Sequence, residues 1–248
     1  MIIHTYENGG RGAACAEYLR EKDGEIPSDE IIILPIPTTR DKKYLKDSDI
    51  PLEDIVKIAR EGVFVIGYSL PREFILQLEG RGALVFDAGC DEEFLLKNAE
   101  LTAICTIGVL LTSSALAPGD MSFGIVGYGR IGKKLTRLLL FLGAKVRVYT
   151  SRDNMRLELC EFGVASSMST REACFRDIDI LINTAPAVLF DKCSIPSGLR
   201  VIDLASGNNF PFLDSYESYP SIPARMFPES SGRALGESAL SFLKRQKN

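Results

Sequence analysis

The chain of 248 residues is long enough for one large domain or two modest ones, each with its own core. Hydrophobic residues make up 46% and charged residues 25%, as in an ordinary folded protein, and no run of apolar residues reaches the ~18 that would indicate a membrane span. The net charge of −4 gives no electrostatic case for nucleic-acid binding, and six cysteines without a CxxC pair, with His4 the sole histidine, exclude the usual zinc site; no metal is expected.

The N-terminal MIIHTYENGG lacks the basic start and apolar core of a secretory signal, so reduced thiols in the cytoplasm are expected. IIHTY followed by GRGAACAEYLRE reads as a strand and a helix. The stretch 9–19 has two readings, an anion-binding helix start or a loop entering a helix, and the basic cluster at 41–46 reads as solvated surface. IIILPI (31–36), VFVIGY (63–68) and ALVFDA (83–88) are short apolar runs expected to be buried strands. Between them, 52–62 and 71–80 have helical spacing and end in glycine. A long apolar helix is expected over 91–115, broken by APGD at 117–120. Beyond it, strands are expected at 123–127, 145–150, 179–184 and 199–205, with helices at 130–142, 154–162 and 169–176 and a last helix at 232–245.

Strands alternating with helices imply parallel sheets covered on both faces. The expected fold class is α/β, with two doubly wound domains joined by long helices. The boundaries are an N-terminal α/β domain over 1–95, a connecting helix over 96–116, a dinucleotide-binding domain over 117–230 and a C-terminal helix over 231–248.

Residues 124–135 read GIVGYGRIGKKL. The strand before this GxGxxG, the helix after it and the strand KVRVYT beyond make a βαβ unit, the context in which the motif binds a dinucleotide. There Gly127 permits the tight turn, Gly129 lets a pyrophosphate approach the backbone and Gly132 lets helix and strand pack closely. The helix start then offers N–H groups and a favourable dipole to the phosphates. The candidate set from this turn is Gly127, Tyr128, Gly129, Arg130, Ile131 and Gly132. The alternative is a tight turn with no ligand.

The end of the second strand discriminates between cofactors. An acid that binds the ribose 2′-hydroxyl is expected there for NAD; this chain has Thr150, Ser151 and Arg152 instead, which suit a 2′-phosphate. NADP is therefore favoured and NAD remains the alternative, with Arg152 as a solvated charge. Further strand ends carry NTAPA (183–187) and DLASG (203–207), which place Asn183, Thr184, Pro186, Leu204 and Ala205 on the cofactor side; simple turn chemistry is the other reading.

The segments ILPIPTTR (33–40), NAELTAICTIGVLL (98–111), GIVGYGRIGKKL, DIDILINTAPAVL (177–189) and VIDLAS (201–206) resemble the family of dipicolinate synthase A subunits, in that family's order and over most of the chain. The resemblance implies a flavodoxin-like N-terminal domain and a C-terminal Rossmann domain binding NADP. It also implies oxidation of a reduced pyridine dicarboxylate and a partner, a flavoprotein-like B subunit; a homo-oligomer is also expected. Glu100 matches a family glutamate facing the interdomain cleft, or else is a helix-start acid favoured by the dipole. The architecture is also similar to D-2-hydroxyacid dehydrogenases, but Ser206 stands where those enzymes carry a carboxylate-gripping arginine, and no late histidine is present to donate a proton. The segment FPESSGRALGES (227–238) departs from the synthase pattern as well. Glu100 and Ser206 are the catalytic candidates, and Thr38, Thr39 and Arg40, after a strand end, are the candidates for a substrate carboxylate. The competing function is a dinucleotide-binding sensor or scaffold without catalysis.

Overall fold

A computed structural model describes residues 1–7, 9–150, 152–161, 164–168, 175–187, 195–207, 209–210, 213 and 216–246. The chain forms two compact units, Met1–Asn98 with Pro223–Asn248, and Ala99–Ile222.

The first unit runs β1 (Ile2–Thr5), α1 (Gly10–Glu21), β2 (Glu30–Ile33), α2 (Leu52–Ile58), β3 (Val63–Gly67), α3 (Arg72–Gly80) and β4 (Leu84–Asp87), with the start of α4 (Glu92–Ser113). Its four strands are parallel, in the order β1-β2-β3-β4. A flavodoxin-like sheet reverses its strand order after the first strand; here β1 stays at the edge and the order is sequential. Because successive side chains point to opposite faces, the run IIIL is shared between two cores. Ile31 and Ile33 pack with Cys15 and Leu19 of α1, and Ile32 and Leu34 pack with Ile55 of α2 and Phe74 and Leu78 of α3. Both faces are covered, which is why these strands read as continuous apolar runs and not as alternating ones.

The second unit holds the rest of α4, β5 (Ser122–Val126), α5 (Arg130–Phe141), β6 (Lys145–Tyr149), α6 (Asp153–Glu161), β7 (Ala165–Met168), β8 (Ile180–Asn183), β9 (Arg200–Asp203) and β10 (Glu217–Ser218). These six strands are parallel, in the order β10-β9-β8-β5-β6-β7. The order turns back at β5, which pairs with β6 on one side and β8 on the other. That reversal is where open α/β sheets bind ligands, at the carboxyl ends of the strands. The edge strands β7 and β10 were not expected from the sequence, because ASSM is short and polar and β10 is only 2 residues long. The expected helix at 169–176 lies largely outside the described residues.

By length and composition α4 could cross a membrane, which the count of consecutive apolar residues did not indicate. Its Ala103 and Leu110, however, pack in the core of the second unit with Phe123, Ile125 and Leu139.

After the short helix α7 (Ile222–Met226), the helix α8 (Pro228–Gln246) returns to the first unit. It starts before the expected residue 232, with Pro228 at its first position, where proline's missing N–H costs nothing. Leu235, Ala239 and Leu243 join the core of α1 and the sheet. Gly232 lies against the α1 backbone: a Cβ there would sit 2.6 Å from Ala14 Cβ and 2.7 Å from the Cys15 nitrogen. The 227–238 segment is thus a helix-packing element.

Gly232→Ala is expected to destabilise the protein by about 1–3 kcal/mol, since one methyl overpacks the α1–α8 contact. Urea denaturation measures this, and an unchanged midpoint would mean that the helices separate without strain.

Candidate functional site

The glycine turn joins β5 to α5. Its first residue, Gly127, has φ +89°, a left-handed conformation that a side chain strains. The Gly127 N–H donates to the Tyr149 carbonyl at 2.9 Å, so the β5–β6 ladder continues into the turn. Gly132 lies against the Gly127 carbonyl, and a Cβ there would fall 3.1 Å from the carbonyl carbon. Helix and strand therefore meet only because position 132 has no side chain. Gly129 differs: a Cβ there would meet no atom within 4 Å, so the fold makes no demand for glycine at that position. The open space lies at the N-cap of α5, where four backbone N–H groups lack helical partners. Gly129 supplies no side chain to them, and the first turn of α5 holds no acid.

That first turn is instead basic, against the preference of the helix dipole. Arg130 opens α5, Lys133 Nζ donates to Glu158 of α6 at 2.7 Å, and Lys134 Nζ donates to Glu100 of α4 at 3.3 Å. Lys133 also sits over the Tyr128 ring, 5.3 Å from its centroid. A helix start with exposed N–H groups, an arginine and room above a glycine has the chemistry of an anion site.

Across the reversal, the end of β8 is fastened to the same turn. Thr184 donates its backbone N–H and its hydroxyl to the Val126 carbonyl, each at 2.9 Å. Behind it lies a network built on Asp203, a carboxylate with no solvent exposure at the end of β9. Its Oδ1 accepts from Asn183 Nδ2 at 2.8 Å and from the Ala205 N–H at 3.1 Å, and its Oδ2 accepts from Asn209 Nδ2 at 3.0 Å. Asn183 in turn accepts from the Ala185 N–H at 3.1 Å. One buried acid thus sets the loops after both β8 and β9.

The structure brings Gly127, Gly129, Arg130, Gly132, Asn183 and Thr184 together around the reversal. Ile131 and Leu204 pack into the core of this unit, Ala205 is buried, and Pro186 and Ser206 are exposed at the ends of the same strands. Tyr128 requires a correction: its side chain is a core residue and burial pushes its hydroxyl above the usual tyrosine range, so only its backbone belongs to the turn. Thr150 is buried as well, and its hydroxyl accepts from the Arg152 N–H at 3.3 Å, shaping the turn that leaves Arg152 exposed. Ser151 lies outside the described residues.

The remaining candidates sit elsewhere. Glu100 is exposed and tied to Lys134. In the first unit Thr38 is fully buried, and its hydroxyl accepts from the Tyr68 N–H at 3.0 Å; it fastens the loop after β2 to the end of β3 and does not present to a ligand, correcting its reading as a substrate group. Thr39 closes a local turn with Asp41 and Lys42, and Arg40 is exposed beside Asp47 at 3.4 Å. Asp203 and Asn209 were missed by sequence reasoning. The signal for Asp203 was an acid ending an otherwise apolar strand, VID; nothing marked Asn209.

Residues 113–189 match the family model of the NAD-binding domain of D-isomer specific 2-hydroxyacid dehydrogenases. No curated protein matches the chain. Among solved structures, the A subunit of dipicolinate synthase from Bacillus halodurans superposes with a TM-score of 0.80 at 20% identity, over 97% of each chain. The corresponding polypeptide of dipicolinate synthase from Bacillus subtilis gives 0.79 at 18%, over 99% of this chain and 95% of that one. A transhydrogenase from Sinorhizobium meliloti gives 0.68 at 15%, over 99% and 94%. At these identities the likeness is one of fold, and it falls on the family that the sequence motifs resemble.

Asp203→Ala is expected to cost about 2–4 kcal/mol, because buried donors on Asn183, Asn209 and Ala205 lose their acceptor. Equilibrium denaturation tests this, and a loss below about 1 kcal/mol would mean that the loops hold without the carboxylate.

Proposed function

We propose that the chain is an NAD(P)-dependent oxidoreductase that passes a hydride between NADP and a small carboxylate, with a reduced pyridine dicarboxylate as the substrate class. The observation that carries the cofactor part is the glycine turn. Gly127 and Gly132 are required by the fold itself, whereas the fold makes no such demand at Gly129, whose open space at the start of α5 would admit a diphosphate. The N–H groups at the start of α5 would hold the diphosphate, and Arg130 would add charge. Exposed Arg152, on the loop after β6, would reach a 2′-phosphate, with no acid at the end of β6 to favour NAD. The loops set by Asp203, carrying Thr184, Ala185, Leu204 and Ala205, would wall the nicotinamide half.

When bound, the nicotinamide supplies the carbon that exchanges the hydride. The chain's own residues orient it and handle the proton. Ser206 is the better placed of the two catalytic candidates, exposed at the end of β9 beside Ala205; the carboxylate of Glu100 is committed to Lys134. The substrate class rests on the resemblance to dipicolinate synthase A subunits, and so does the partner, a flavoprotein-like B subunit. A cytoplasmic setting fits the free thiols of Cys15, Cys90, Cys105 and Cys160.

Titration calorimetry is expected to show NADPH binding more tightly than NADH. Arg152→Ala should weaken NADPH about tenfold or more, the worth of one charge-assisted contact, and leave NADH within about twofold. Gly129→Val should abolish binding of both while circular dichroism stays native. Tighter binding of NADH by the wild type would overturn the NADP assignment. Turnover of 4-hydroxytetrahydrodipicolinate with NADP, with and without a B subunit, should fall in Ser206→Ala. Tight NADPH binding with no turnover under either condition would favour a sensor over an enzyme.

A further inference from the structure

We infer that Lys46 is an anion-binding residue, set beside the carboxyl end of the first unit's sheet to take the carboxylate of a small substrate. The inference rests on the reading that the substrate is a small carboxylate, and it moves that contact from Thr38 to a residue outside the sequence candidates. Lys46 ends the basic cluster 41–46, expected to be solvated surface. Lys42 and Lys43 are exposed as expected. The Lys46 side chain, however, is only 20% exposed and turns inward, its Nζ donating to the Ile36 carbonyl at 3.2 Å.

The chain fixes Lys46 at the base of its loop and not at the tip. The Lys46 N–H donates to the Thr38 carbonyl at 2.9 Å, and the Thr38 N–H donates to the Tyr68 carbonyl at 3.1 Å. Residues 38 and 46 are thereby tied to each other and to the loop after β3. These loops leave the carboxyl ends of their strands, the edge on which open α/β sheets bind ligands. Leu45, next in the chain, is buried in the core with Ile32 and Leu34. The Ile36 carbonyl also accepts from buried Arg11 at 3.4 Å, so two cations meet on one oxygen. Arg11 is committed to the Glu7 carboxylate.

Lys46 is not matched in that way. Its ion partner Asp47 stands 3.7 Å from Nζ, beyond hydrogen-bonding distance, is 58% exposed, and also faces Arg40 at 3.4 Å. Lys97 and Lys133 are more exposed, at 37% and 33%, yet each hydrogen-bonds a carboxylate, Glu237 at 2.8 Å and Glu158 at 2.7 Å. Withdrawing an ammonium from water is costly unless a counter-charge is bonded to it, so the charge of Lys46 is less compensated than theirs. Residues 40–49 carry four cations against three acids, Asp41, Asp47 and Asp49, and Asp41 is occupied by the N–H groups of Lys43 and Tyr44. An ammonium has three donors, and the Ile36 carbonyl takes one. An incoming carboxylate would take another at charge-assisted strength.

Calorimetry with pyridine-2,6-dicarboxylate and with 2-oxoglutarate, each with and without NADP, tests this. The wild type is expected to bind the pyridine dicarboxylate, and Lys46→Met, which keeps the length of the stem, should weaken it about tenfold or more. NADPH affinity should stay within about twofold and circular dichroism should stay native. Lys46→Arg should restore most of the affinity, and Asp47→Asn, which removes the competing acid, should tighten binding by up to about fivefold. Lys43→Ala should change nothing. If only 2-oxoglutarate binds and Lys46→Met loses it, the site stands and the pyridine dicarboxylate class falls. Equal binding by wild type and Lys46→Met would overturn the inference and leave the proposed function intact. A wild type that binds neither carboxylate, or a Lys46→Met that loses NADPH to the same degree, would also overturn it.

Discussion

The second unit depends on a backbone contact, Gly132 of α5 against the carbonyl of Gly127. It requires that position 132 have no side chain and that residue 127 adopt a positive φ, and it draws the start of α5 down onto the end of β5. Thr184 then fixes the end of β8 to the same point through two hydrogen bonds to Val126. With β6 tied in by the Gly127 N–H, three strand ends and a helix start converge where the strand order turns back. The start of α5 there has no side-chain cap, so its first backbone N–H groups lack helical partners and are held in place by this packing. Preorganisation of this kind lowers the cost of binding a charged cofactor.

A second layer of rigidity comes from charge buried away from solvent. Asp203 is enclosed and is satisfied by amide donors from three residues, Asn183, Ala205 and Asn209. Burying a carboxylate is costly unless its oxygens are well bonded, so the loops after β8 and β9 are held to the geometry that supplies those donors. These loops carry Thr184, Ala205 and Ser206. The site is therefore stiffened from beneath, and its exposed residues inherit positions set by buried ones.

The architecture was largely legible in the sequence because apolar periodicity and glycine stops record it directly. IIIL and VFVIG, buried on both faces, could be little else but parallel strands, and of the three glycines the turn role of Gly127 and the packing role of Gly132 agree with the structure. Less visible was anything depending on which groups meet in space. Thr38 looked like a ligand group because it is polar and follows a strand, but its hydroxyl serves the Tyr68 backbone. Tyr128 sits in the motif while its ring turns into the core. Asn209 has no local signature at all, since its importance comes from Asp203, six residues earlier at the end of β9. The start of α8 was missed by four residues, because serine and glutamate after Pro228 continue the helix without an apolar rhythm.

If the N-terminus of α5, above Gly129, receives the cofactor's diphosphate, a crystal structure of the chain with NADPH will show it most directly. Density for the diphosphate is then expected within hydrogen-bonding distance of the backbone N–H groups of Arg130 and Ile131, with the adenosine ribose toward Arg152. A dinucleotide bound elsewhere on the chain, with the turn at Gly129 left to solvent, would contradict it.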